Sequence, residues 1–173
     1  MSPSHPLAAN RILRWALGAL FLFVLAPALM AEDAPATPTW AVPAGWTKLE
    51  QEKPMRVATW RAGEGANAVE VALSVFPKDV GGLLGNVNRW RRQVQLPPIA
   101  EAQLAENVTP FQVPGFAGNT TRCKGEAQHL LAAAIYETAA DRTWFVKIQG
   151  TPAAIDAQEA AFMAFVKSFS PGK

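Results

Sequence analysis

The 173-residue sequence holds one cysteine, Cys123, and two histidines, His5 and His129. Each shortage excludes a class of chemistry. A single cysteine cannot close an intrachain disulfide, so the chain is not one of the small cross-linked scaffolds of secreted proteins. One cysteine and one histidine close in sequence do not make a transition-metal cluster, and the acidic residues follow no calcium-loop spacing. No Gly-x-Ser-x-Gly turn is present to raise a serine nucleophile. The sequence also lacks a second long apolar run: the only one is WALGALFLFVLAPALMA, close to the N-terminus.

That run follows Arg11 and Arg14 and ends in small residues, the layout of a secretory signal peptide, with cleavage expected after Ala28 or Ala31. Residues 1–31 are therefore read as an export signal, residues 32–39 as a disordered linker rich in Pro, Ala and Thr, and 40–173 as one domain. The expected location is the periplasm or the exterior, with no stable membrane insertion after cleavage. Cys123 lies far from the signal, so no lipid-modified cysteine is expected at the new N-terminus.

A strong charge of one sign is missing as well. Of 16 basic residues, Arg11 and Arg14 belong to the signal, which leaves 14 against 14 acidic residues. The chain offers no bulk basic surface, and nucleic acid is not expected as a partner.

What is present is a regular alternation of patterns. MRVATWRAG (55–63) and AVEVALSVFP (68–77) alternate apolar and polar positions, and the segment between them reads as a hairpin turn. A helix is expected over 83–95, ended by Pro97 and Pro98, with a short second helix in EAQLAENV (101–108). Three more strands follow at 118–127, 129–139 and 142–150. Thr151 is placed to cap a last helix with Pro152 at its first position, and Ile155, Phe162, Phe165, Val166 and Phe169 give it one apolar face. The order predicts an α+β fold: a mostly antiparallel sheet with helices packed on it.

The helix GGLLGNVNRWRRQVQL (81–96) carries the densest set of donors. At 100° per residue Leu83, Val87, Trp90 and Val94 share one arc that faces the sheet; Arg89 and Arg92 point to solvent, and Asn86 and Arg91 fall on opposite borders. A border arginine aims its fork at a carboxylate or a carbonyl, with Glu70 or Glu101 as the expected partner. The candidate binding residues are Asn86, Asn88, Arg89, Arg91 and Arg92, and the expected partner is an unknown protein or an anionic small molecule. Gly81 and Gly82 offer a weaker candidate for an anion cradle at the helix start.

The stretches GW (45–46), MRVATW, VEVALSVFP, GGLLGNVNRWRRQ, TWFVKIQG and FMAFVKSF resemble an exported bacterial family, mostly uncharacterised, whose members carry a similar Asn-Val-Asn-Arg-Trp-Arg run. The element order is similar to the PsbP-like fold, an α/β/α sandwich around an antiparallel sheet. The resemblance implies a non-enzymatic binding or accessory domain of the cell envelope without a cofactor; it does not carry over a photosynthetic role or the metal-binding residues of PsbP. Two alternatives stand beside it. A small hydrolase requires Cys123 and His129 to meet on neighbouring strands, and fails if they face opposite sides of the sheet. A structural envelope oligomer would associate through Trp40, Trp46 and Trp60.

Overall fold

The computed structural model describes residues 36–50 and 53–172. The expected export signal at 1–31 and the first part of the expected linker lie outside the described residues. The strands are β1 (Trp46–Lys48), β2 (Ala58–Ala62), β3 (Val69–Pro77), β4 (Thr109–Val113), β5 (Phe116–Lys124), β6 (His129–Glu137) and β7 (Arg142–Gly150). The helices are α1 (Gly82–Gln93), the single-turn α2 (Leu104–Asn107) and α3 (Pro152–Lys167).

All seven strands join one sheet in the order β1-β2-β3-β7-β6-β5-β4, and every neighbouring pair is antiparallel. Successive side chains of a strand go to opposite faces, so the alternation seen in the sequence sorts the residues into two cores. Val69, Val71 and Leu73 of β3, Trp144, Val146 and Ile148 of β7 and Leu131, Ala133 and Ile135 of β6 pack with Ile155, Phe162, Phe165 and Val166 of α3. On the other face Cys123, Leu130, Ala132 and Ala134 pack with Val87 and Trp90 of α1 and with Val94. This is the α+β arrangement expected from the sequence, helices on both faces of an antiparallel sheet. The alanines of β6 have a clear use: small residues under each helix admit the large aromatic side chains that the helices supply.

α3 forms as its sequence requires. Thr151 Oγ1 accepts from Ala154 N–H at 3.3 Å, and Pro152 takes a first-turn position where no N–H is needed. α1 carries the expected arc, with Val87 and Trp90 buried and Leu83 half-buried.

The sheet is wider than the sequence reading. β1 has only three residues, too few for an alternation to register. β4 contains Pro110, and its place at the sheet edge explains how it tolerates a residue without an N–H. The strand expected from Met55 begins only at Ala58, because Met55 adopts a left-handed φ of 63°. Gly118 of β5 faces Phe111 of β4, and a Cβ there would come within 2.5 Å of that ring; the glycine is a packing requirement of the edge pair.

Residues just before Trp40 also make contacts with the C-terminal segment. Thr39 exchanges both backbone hydrogen bonds with Ser170, each 3.0 Å, and Pro38 is buried. Trp40 then stacks on Phe169 at 5.4 Å and tilts against Trp144 at 5.7 Å. Trp46 and Trp60 are buried beside Phe165. Trp46 and Trp60 are interior and Trp40 is half-buried on the same core, so the three do not form the exposed contact surface that the oligomer would use.

Candidate functional site

α1 starts without a side-chain cap, after Gly81 (φ 86°) and Gly82 (φ 63°), two left-handed positions that glycine adopts without steric cost. The turn is held instead by Asn86. Its side-chain nitrogen donates to the carbonyls of Val80 at 3.0 Å and Gly82 at 2.9 Å, and its Oδ1 accepts from Arg89 Nη1 at 2.8 Å. Asn86 is 1% exposed, so its amide is fully committed inside the protein. Arg89 is drawn back along the helix by this bond and lies over Gly81, where a Cβ would sit 3.2 Å from Arg89 Nη2. The guanidinium is exposed, but it borders a cleft instead of extending freely into solvent as the helical wheel implied.

Asn88 and Arg91, on the opposite flank, engage the proline segment. The amide of Asn88 pairs with the backbone of Ile99 twice, donating to its carbonyl at 3.0 Å and accepting from its N–H at 2.8 Å. Arg91 Nε donates to the Pro97 carbonyl at 2.8 Å, and Nη1 donates to Asn107 Oδ1 at 3.2 Å. The partner of Arg91 is therefore a carbonyl and an amide, not the expected Glu70 or Glu101. Glu70 is occupied by Lys53, at 2.6 Å, and Arg56, at 3.1 Å. Arg92 is exposed on the outer side of the helix. The five residues singled out in the sequence thus separate: Asn86 and Arg89 belong to the start of the helix and a cleft, Asn88 and Arg91 hold a loop, and Arg92 stands apart.

The cleft lies where α1 leaves the sheet uncovered. It measures about 240 Å³ and is lined by Asn86, Arg89, Trp90 and Gln93 of α1, by Ala72, Ser74 and Phe76 of β3, by Phe145 and Lys147 of β7, and by Arg56 and Val80. The register explains the space: Lys147 lies between Ala72 of β3 and Ala132 of β6, two small neighbours on its own face. Lys147 Nζ donates to Gln93 Oε1 at 2.8 Å. Burial, reinforced by the nearby Arg56 charge, lowers the lysine's pKa. Among the described residues neither Arg89 nor Lys147 forms a salt bridge, while Arg56 shares Glu70 with Lys53.

Sequence reasoning missed Arg56 and Lys147. In the linear pattern both are polar members of alternating strands, and nothing local signals that α1 ends beside Lys147 or that the chain before β2 brings Arg56 to the same place.

The catalytic alternative fails on its own criterion. In the β5–β6 register Cys123 pairs with Leu130, whereas His129 pairs with Lys124. Cys123 packs under α1, and His129 lies on the α3 face, where its Nδ1 is 3.3 Å from Arg122 Nη2. The two side chains occupy opposite faces of the sheet. The thiol is 2% exposed and burial pushes its pKa up to about 11, so it is not a thiolate nucleophile near neutral pH. Arg122 itself pairs with Asp156 and with Glu159, the latter at 2.5 Å, and these pairs fasten α3 to β5. Among the described residues no group of three or more His, Cys, Asp or Glu side chains is arranged to hold a metal ion.

No protein-family model matches the chain, and no curated protein sequence does. Solved structures do. The chain is similar to LpqN of Mycobacterium tuberculosis, a protein involved in cell envelope biogenesis, with a TM-score of 0.53 and 11% identity over 82% of this chain and 88% of that one. It is also similar to the cyanobacterial PsbP of Synechocystis, with a TM-score of 0.46 and 12% identity over 85% of this chain and 98% of that one. At 11% identity the likeness to LpqN bears on architecture alone, and it agrees with the α/β/α layering described above.

Proposed function

We propose that this protein is an exported, non-catalytic binding domain of the cell envelope that holds an anionic group in the cleft between α1 and the β3–β7 part of the sheet. The observation that carries this reading is the company of Arg56, Arg89 and Lys147 in one cleft, two of them without a carboxylate partner among the described residues. Placing cations side by side in a partly dry recess is unfavourable unless an anion joins them. The apolar run behind Arg11 and Arg14 supports export. No helix of the described residues is long and apolar enough to cross a membrane.

The test is native mass spectrometry of the protein purified from bacterial envelopes, beside an Arg89→Met, Lys147→Met double variant. A retained anionic mass that disappears in a folded variant is the expected result. Absence of any retained mass, together with no thermal shift on titration with organic or inorganic anions, would overturn the reading.

A further inference from the structure

The cleft has a second property that charge alone does not explain. Its floor is aromatic: Phe76 and Phe145 meet edge to face, with ring centroids 5.8 Å apart and planes at 60°. Trp90 meets Phe145 in the same manner at 6.0 Å and 76°. Phe76 and Phe145 are only half-buried, whereas Cys123, Leu130, Ala132 and Ala134 on the same face are buried under α1, and Val80 beside the two rings is 38% exposed. A recess for inorganic phosphate or another fully hydrated anion has no use for such a floor, since apolar surface stays in contact with water when that anion binds. A recess for an apolar molecule has no use for the cations. Edge-to-face rings also leave ring faces and edges available to another aromatic system, an arrangement that adds to area burial.

From this we infer that the cleft takes a small amphiphilic organic anion: a carboxylate carried on a ring-sized apolar body, with the ring on Phe76 and Phe145 and the carboxylate toward Lys147, Arg89 and Arg56. The inference rests on the anion-binding reading above and specifies its ligand class. The size follows from the space. A volume of about 240 Å³ falls at or below the small end of ordinary ligand pockets, so a body of one or two rings fits and a long acyl chain does not. Discrimination follows from the chemistry: the ring supplies apolar burial that phosphate lacks, and the carboxylate supplies a charge partner that a neutral ring lacks.

The experiment is isothermal titration of the purified protein with three probes: 2-naphthoate, the uncharged 2-naphthylmethanol, and inorganic phosphate. One 2-naphthoate is expected per chain, bound at least tenfold more tightly than either of the others. Phe76→Ala is expected to weaken 2-naphthoate at least tenfold while leaving phosphate unchanged, and Lys147→Met to weaken 2-naphthoate while leaving the alcohol unchanged. Thermal melts of both variants check that they fold. If phosphate binds as tightly as 2-naphthoate, the ligand class is wrong and the anion site stands. If the alcohol binds as tightly as 2-naphthoate, the cations do not recognise the carboxylate, and the amphiphilic-anion inference is overturned. If none of the three binds, the amphiphile inference is overturned, while the anion reading is decided separately by the retained mass.

Discussion

Trp144 Nε1 donates to Glu137 Oε2 at 2.8 Å, across the turn that joins β6 to β7. The same carboxylate accepts from Arg142 at 3.0 and 2.7 Å, and the Arg142 guanidinium lies over the Trp144 ring, 5.6 Å from its centroid. A buried acid is thereby satisfied by an indole and a bidentate arginine, and the last two long strands are locked in register. Removing the carboxylate strands three N–H donors on two side chains, one of them the buried Trp144 indole. Glu137→Ala is expected to cost about 3 kcal/mol of stability, at the lower end for a broken buried pair because Arg142 keeps some contact with water. Chemical denaturation measures it; a loss below about 0.5 kcal/mol would show that the network contributes little.

Asn88 holds Ile99 by two hydrogen bonds, and with Arg91 it ties the Pro97–Pro98 segment to α1. Asn88→Ala is expected to cost about 1–3 kcal/mol and to speed amide exchange at Ile99 specifically. Hydrogen exchange by NMR resolves this. Unchanged protection at Ile99 would mean that the segment is held by packing alone.

The Cys123 thiol, buried under α1 with its pKa raised to about 11, should resist a disulfide-exchange reagent at pH 8 in the folded protein and react fully in denaturant. Rapid reaction in the native state would show that the packing of α1 on β5 and β6 opens readily. His129 is separated from it by the sheet, so substitution of His129 should leave the rate unchanged.

Two carboxylates make the protein acid-sensitive. Hydrogen bonds from Lys53 and then Arg56 hold the Glu70 carboxyl below its usual range, and a hydrogen bond from Arg122 does the same for Asp156. A folded-state pKa below the unfolded value gives stability that is present above the unfolded pKa and lost as pH falls through the folded one. The melting temperature should therefore be flat near neutrality and fall below about pH 4. Glu70→Gln and Asp156→Asn should each lower the neutral-pH value slightly and flatten the acid limb. An acid limb identical in the single variants and the parent would place the sensitivity elsewhere.

Most of the architecture was legible because it rests on period. The alternation in β3 and β7, the Thr151-Pro152 start of α3 and the arc of Val87, Trp90 and Val94 are local patterns, and the fold realises each of them. The edge strands were not legible: three residues in β1 and a proline in β4 leave too little alternation to read, and pairing with a neighbour is what makes them strands.

The candidate site was legible only in part, for a related reason. Local spacing placed Asn86 and Arg91 on the borders of a helix, but whether a border residue meets a loop or a cleft depends on which strands the helix covers. The chain itself determined an antiparallel sheet with two helices that each turn an apolar face to it, because burial of those faces follows from periodicity whatever the partners. Only the tertiary structure decided that Arg56, Arg89 and Lys147 would meet over Phe76 and Phe145. It likewise decided that Cys123 and His129 would never meet. Convergence of that kind is set by strand order and register, which bring residues distant in sequence onto one face and part those that are close.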